Sequence, residues 1–347
     1  MKKLLLSLSL LSLAISDVHA ADALTDAIKN GHASLQLRPR FEFVDDDAAA
    51  AADPAKAFTV RTVLGFKTAP VAGITGYVEA EDIRALDDHY NVPFVQPDAR
   101  YATVADPEST AINQAWLAGY GFKAGKQKLV INNTRFIGDV ARRQDDQTFT
   151  ALSYEQARLL GWLDLQLAYA SQVAMVSGQH ADLRMPMVNL KAHAPLGADV
   201  TLFWAGLDGR ETPGTPFLAG NLSRDKGREY SVLRIDGSKG KFSYDLSYGR
   251  YGDGTTANAP SADYSDIQLG YKLGPVTIKV QQETLESGFQ TPLATLHAFN
   301  GWADRFLTTP GGGLVDRNIK LSGKVAGLAL ALAVHRFEAD KGGVDFG

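Results

Sequence analysis

The sequence predicts an all-β fold, a transmembrane antiparallel up-and-down β-barrel of about 16 strands, and three observations predict it. Apolar and polar residues alternate with period two over many short stretches. The connections between those stretches alternate between short ones rich in Gly and Pro and long, charged ones. Beyond residue 20 no stretch is long and charge-free enough to cross a membrane as a helix.

Taken in order, the chain opens with Lys2 and Lys3, an apolar run from Leu4 to Ile15, and Val18-His19-Ala20. A charged start, a short apolar run and a small-residue cleavage site together predict a secretory signal peptide over residues 1–20. Residues 21–347 are then the barrel, roughly 327 residues. Cysteine is absent, which excludes disulfides, thiolate metal sites and thiol nucleophiles. The formal charge is −4, and about −5 without Lys2, Lys3 and Asp17, so nothing points to nucleic acid. Mean hydropathy of −0.12 is compatible with a barrel, because its lipid-facing and water-facing residues average out.

The strand signal is clearest at 34–43, where Leu35, Leu37, Phe41 and Phe43 alternate with Ser34, Gln36, Arg38, Arg40 and Glu42. An extended chain puts these two sets on opposite faces, whereas a helix would scatter them around its circumference. The same alternation returns at 163–169, 242–248, 276–283 and 328–334. It is less regular at 58–67, 74–83, 112–120, 126–135, 148–156, 187–194, 200–206, 229–236, 264–272 and 318–325.

Short turns are expected at 68, 120, 194, 236, 272 and 325. Long loops are expected at 44–57, 84–111, 136–147, 172–186, 207–228, 252–263 and 285–315. Short periplasmic turns and long outer loops are the pattern of bacterial barrels. The count reaches about fifteen strands, one short of the even number that closes such a barrel. The closing strand is therefore expected to be missing from this chain, or a strand to be hidden in 90–104 or 285–315.

Several stretches carry a family likeness. They are LTDAIKNGHASLQLRPRFEFVDDD, VRTVLGFKTAPVAGITGYVEAEDIRAL, ADPESTAINQAWLAGYGFKAGKQKLVINNTRFIGDVARRQDDQTFTAL and FQTPLATLHAFNGWADRFLTTPGGGLVD. Together they resemble the alginate-export-like family of bacterial outer-membrane porins. That resemblance implies a pore in which basic lining residues attract anionic solutes.

Strand parity turns Arg38, Arg40, Arg61 and Lys279 inward together with Glu42, Glu79, Glu81 and Glu283. The alternative, charges in lipid, would cost roughly 2–4 kcal/mol each at the membrane midplane. The 136–147 loop carries Arg142 and Arg143 just after Arg135, and is short enough to tuck inside. Guanidinium groups suit carboxylate or phosphate, so these arginines would make a basic constriction. The plainer reading is a solvated outer loop neutralised by Asp139, Asp145 and Asp146. Trp116, Trp162, Trp204, Tyr169 and Tyr248 fit interfacial girdles better than a grip on a sugar ring. Asp45-Asp46-Asp47 and Asp87-Asp88 could hold divalent cations at the rim, or simply be hydrated loop tips.

No G-x-S-x-G elbow, H-E-x-x-H or Walker loop is present. No catalytic residue, resident metal or cofactor is therefore expected. The function expected is passive diffusion of small hydrophilic, anion-leaning solutes through a bacterial outer membrane, with lipid and lipopolysaccharide as surroundings. No apolar patch argues for a trimer. Two alternatives are a dedicated exporter of an acidic polysaccharide such as alginate and an outer-membrane acyl hydrolase, whose triad would be visible only in geometry.

Overall fold

A computed structural model describes residues 17–45, 53–92, 95–194, 197–209, 227–253, 261–302, 305–306 and 308–347. The signal-like residues 2–15, the loop acids Asp46 and Asp47, and most of the 207–228 and 252–263 loops lie outside them. One helix, α1 (Asp17–Lys29), runs through the expected cleavage site. Fifteen strands follow, beginning with β1 (His32–Val44), β2 (Ala55–Lys67), β3 (Thr75–His89), β4 (Ser109–Gly119) and β5 (Phe122–Gln127). Then come β6 (Thr148–Leu159), β7 (Leu163–Ala174), β8 (His180–Ala194), β9 (Ala198–Gly209) and β10 (Arg228–Lys239). The last are β11 (Phe242–Asp253), β12 (Ala262–Leu273), β13 (Val276–Leu285), β14 (Leu314–Val325) and β15 (Leu328–Glu338).

Each strand pairs antiparallel with its neighbours in sequence, so a single sheet runs from β1 to β15 without a crossover. Among the described residues β1 and β15 do not pair, and the sheet is not closed. After β15 the chain reverses: the Phe346 N–H donates to the Phe337 carbonyl at 2.8 Å, and Phe337 donates to Gly347 at 2.8 Å. The expected short turns lie at one end of the sheet and the remaining connections at the other.

Parity decides which side chains fill the inside. On β2, Ala55, Ala57, Thr59, Arg61 and Val63 are buried, whereas Phe58 and Leu64 are exposed. Leu35, Leu37, Phe41 and Phe43 on β1 and Leu328, Leu330, Leu332 and Val334 on β15 form the same exposed apolar surface. No helix among the described residues is long and apolar enough to cross a membrane.

Two expected boundaries move. The stretch 126–135 is not a strand: β5 stops at Gln127, and the chain then leaves the wall. The expected 172–186 loop shrinks to a tight link, because β7 continues to Ala174 and β8 begins at His180. The missed part of β8 does alternate, but in the opposite sense to the lipid-facing strands: Ala181, Leu183, Met185 and Met187 are buried inside, while His180 and Arg184 are exposed.

Candidate functional site at the lumenal constriction

The loop spanning 128–147, the third of the long-loop end, folds into the lumen and docks on β1, β2 and β3. Its departure is anchored by Gln127, whose Nε2 donates to the Ala151 carbonyl at 2.9 Å while its Oε1 accepts from Ser153 at 2.9 Å. Positive φ at Asn132, Thr134 and Val140 lets the loop coil tightly enough to fit. Arg38 receives it: Nε donates to Gln144 Oε1 at 2.9 Å, Nη1 to the Ala141 carbonyl at 3.0 Å, and Nη2 to the carbonyls of Arg143 and Gln144. Gln144 answers with its own amide, which donates to Thr59 Oγ1 at 2.8 Å and to the Arg38 carbonyl at 3.2 Å.

Beside this latch the other arginines are ion-paired. Arg61 bridges Glu81 and the loop residue Asp146, and Lys128 also reaches Asp146, at 2.7 Å. Arg40 pairs with Glu42 and, at 3.1 Å, with Asp106; Arg143 reaches Glu42 at 3.1 Å. Arg38 differs because all its hydrogen-bond partners are neutral. Arg38 and Arg61 face each other across the β1–β2 pair; Arg61 is bonded to Glu81 and Asp146, whereas Asp106 and Asp146 act on Arg38 only through space. Among the described residues the site therefore presents a guanidinium with no carboxylate bonded to it, set in a largely ion-paired surround.

Two loop acids have opposite electrostatics. Burial, then the charge and hydrogen bond of Glu81, push the Asp145 carboxyl up to about 8, so at neutral pH it holds a proton that it shares with Glu81. Burial acts the same way on Asp146, but Lys128 and Arg61 beside it override that and hold it below the ordinary carboxylate range. Asn113 ties Asp146 to Glu79 on β3, donating to Asp146 at 3.0 Å and to Glu79 at 2.9 Å.

A second loop, 286–313, enters from the opposite wall and meets the third. Ile137 and Leu293 form a parallel bridge, Gly138 donates to the Leu293 carbonyl at 3.0 Å, and Thr295 donates to Thr134 at 3.0 Å. Gln147 Nε2 locks the seam by donating to the carbonyls of Gly138 (2.7 Å) and Leu293 (2.9 Å). Arg135 is consumed here: fully buried, it pairs with Glu283 at 2.6 Å, donates to Asn300 at 3.2 Å and lies 4.7 Å from the Phe299 ring centre. It is a structural rivet rather than a lining charge. Around the seam Phe136, Phe203, Tyr230, Tyr251, Tyr264 and Phe289 pack ring against ring with centroids 4.8–6.1 Å apart. The half of the lumen bounded by β6–β12 is thus a packed apolar core at its loop end.

Of the residues expected at the constriction, Arg38, Arg40, Arg61, Glu79, Glu81 and Arg143 are brought together. Arg142 stands exposed nearer the mouth against His297, and Arg135 joins the seam instead. Lys279 faces inward on the far wall, donating to Gln268 at 3.0 Å. Sequence reasoning missed Gln144, Asp106, Asn113 and Gln147, whose neutral or remote positions carry no periodic signal. Of the aromatics expected in girdles, Trp162, Tyr169 and Tyr248 are exposed, but Trp116 points into the lumen. Asp87, Asp88 and His89 bring ligand atoms within 4.8 Å of one another at the rim, two of the three exposed. His193 is held by Asp164 and Asp199, each at 2.8 Å, and His335 by Asp316 at 2.9 Å, so both histidines serve carboxylates rather than a serine.

No protein-family model and no curated protein matches the chain. Solved structures do. Acinetobacter baumannii OccAB2 superposes with a TM-score of 0.67 at 14% identity, covering 90% of this chain and 82% of that one. Pseudomonas aeruginosa OpdK, in a structure with vanillate, gives 0.64 at 12% identity over 90% and 83%. Another structure of OpdK, described as an outer membrane protein, gives 0.62 at 12% identity over 90% and 83%. The chain has the fold of these outer-membrane barrels. Kinship with the alginate-export-like family is not upheld: no family model matches, and the solved structures it resembles include Occ and Opd proteins. Alternating strands and charged loops recur in any large barrel, so segment-level likeness does not discriminate among families.

Proposed function

We propose that the chain is a bacterial outer-membrane channel for passive diffusion of small hydrophilic solutes, with a preference for anions. Residues 1–20 serve as its signal peptide in this reading, the short turns face the periplasm, and no catalytic role is assigned. The observation that carries the reading is the third loop docked inside the lumen on Arg38, with Arg40, Arg61 and Arg143 beside it. A narrow, low-dielectric passage strengthens the field of a guanidinium that has no carboxylate bonded to it, so anions are drawn to it. The neighbour OpdK was solved with vanillate, a small carboxylate, which supports solutes of that charge and size. Two loops filling part of the lumen favour such solutes over a polysaccharide chain.

Reversal potentials in planar bilayers under a salt gradient test this. A steady conductance with anion preference is expected at neutral pH. Cation preference would overturn the charge assignment, and a channel that stays closed without a partner protein would return the exporter reading.

A further inference from the structure

Asp106 stands apart from the other groups at the constriction, because it belongs neither to a wall strand nor to either lumenal loop. It comes from the second long loop, between β3 and β4. Its carboxylate is 1% exposed: Oδ1 accepts the Gln144 N–H at 2.9 Å, and Oδ2 lies 3.1 Å from Arg40 Nε and 4.0 Å from Arg143 Nη1. One side chain thus touches both the third loop and β1, the two surfaces that the Arg38 latch joins.

The segment that carries Asp106 is firmly held. Ala102 donates to the Asp53 carbonyl at 2.9 Å, and Asn91 donates to the Ala102 carbonyl at 3.0 Å. Residues 100–104 therefore lie as a short strip between the chain before β2 and the chain after β3, with parallel bridges Asp53–Tyr101 and Asn91–Thr103. Ala55, Ala57, Tyr90, Val92, Ala102 and Val104 give the strip a small apolar core of its own. Next to the carboxylate, the Tyr90 hydroxyl donates to the Asp106 carbonyl at 2.8 Å, and the buried Pro107 keeps the residue before it extended. The other end of the strip is open to the outside. There the Arg100 side chain is 74% exposed and lies 5.2 Å from the Tyr101 ring centre, and Tyr101 meets His89 edge-on at 5.4 Å. A packed strip moves as a body rather than deforming, so a push on its exposed end reaches the bonded end inside the lumen.

We propose that residues 95–108 are a strap coupling the outer face of the channel to its constriction. Displacing the exposed end at 98–101 draws Asp106 off Gln144 and Arg40, which frees the third loop to move within the passage. Asp106 is a positioning residue, since it acts on the passage only through that loop. The inference rests on the channel reading for its consequence but not for its mechanics.

Because the chain lacks cysteine, the outer end can be loaded at a single point. Arg100→Cys carrying a biotin maleimide is placed in planar bilayers, and streptavidin is added on the long-loop side. Brief closures should become more frequent, and the same load on Arg100→Cys combined with Asp106→Asn should add nothing, because the coupling is already cut. Asp106→Asn alone keeps the shape and loses the charge; it should raise closure frequency about tenfold and increase deuterium uptake over 136–147. Asp345→Asn, an exposed carboxylate beyond β15, should do neither. A load effect of equal size in both backgrounds means that streptavidin obstructs the mouth, and it overturns the strap. So does the lack of any load effect, or unchanged closures and uptake in Asp106→Asn. Should that variant fail to fold, Tyr90→Phe cuts the other hold on Asp106 and decides in its place. Uptake separates the two readings: raised uptake in an Asp106→Asn chain that passes no current sinks the channel and keeps the strap, while current with unchanged uptake does the reverse.

Discussion

Arg38 concentrates the chemistry of the constriction, because its hydrogen bonds all go to neutral oxygens while its neighbours are matched by carboxylates. Arg38→Gln should lower the anion-to-cation permeability ratio by a factor of about 5, the equivalent of about 1 kcal/mol of lost attraction, read from reversal potentials. Asp145 gives a pH signature. Its carboxyl is raised to about 8 in the folded chain, above its unfolded value, so the folded state binds the extra proton across the interval between them. Stability should fall as pH rises through that interval and level off above about pH 8, where the carboxyl is ionised in both states. Thermal unfolding from pH 5 to 9 checks this, and Asp145→Asn should flatten the slope. At this scale the sequence was informative for Arg38, Arg40, Arg61, Glu79 and Glu81, because parity on a strand fixes direction. It assigned Arg135 to the constriction, and the structure puts it in the seam instead, since nothing in a loop sequence reveals a pairing with a Glu 148 positions later.

Between strands, the lumenal seam is the element whose integrity sets the size of the passage. A Cβ placed on Gly138 would run into the Thr295 hydroxyl, which is itself bonded to the Val140 N–H at 3.2 Å. Gly138→Ala should therefore part the two loops and raise single-channel conductance and open-channel noise. Gln147→Ala should act in the same direction more mildly, leaving the Gly138 carbonyl without its donor at about 1–3 kcal/mol, while Leu293 keeps the Gly138 N–H, measurable as earlier thermal loss of native mobility on gels. Strand existence was legible almost throughout, whereas strand ends were not. β5 is short because its backbone closes on β4: Gly125 has a φ of +127°, and a Cβ there would run into the Ala115 carbonyl. The sequence puts Gly125 in a turn and a strand at 126–135, whereas the strand runs through Gly125 and ends at Gln127.

Across the whole molecule, the exposed apolar band makes a prediction about insertion. Leu64, 60% exposed at mid-strand on β2, should tolerate Ala but resist Arg, which costs about 2–4 kcal/mol near a bilayer midplane, seen as reduced folding yield into lipid vesicles. Lack of cysteine makes topology directly measurable. A single cysteine at Gly240 should be labelled from the periplasmic side of intact outer membranes, and one at Ser177 from outside; the reverse pattern would invert the proposed orientation.

The aromatic packing that fills the β6–β12 side has a consequence for throughput. In the proposed channel a sheet of this many strands would suggest a wide pipe, but one sector is filled, which confines the expected passage to the remaining arc. Swapping the sheet for a larger one would change little, whereas reshaping a few loop side chains would change which molecules get through.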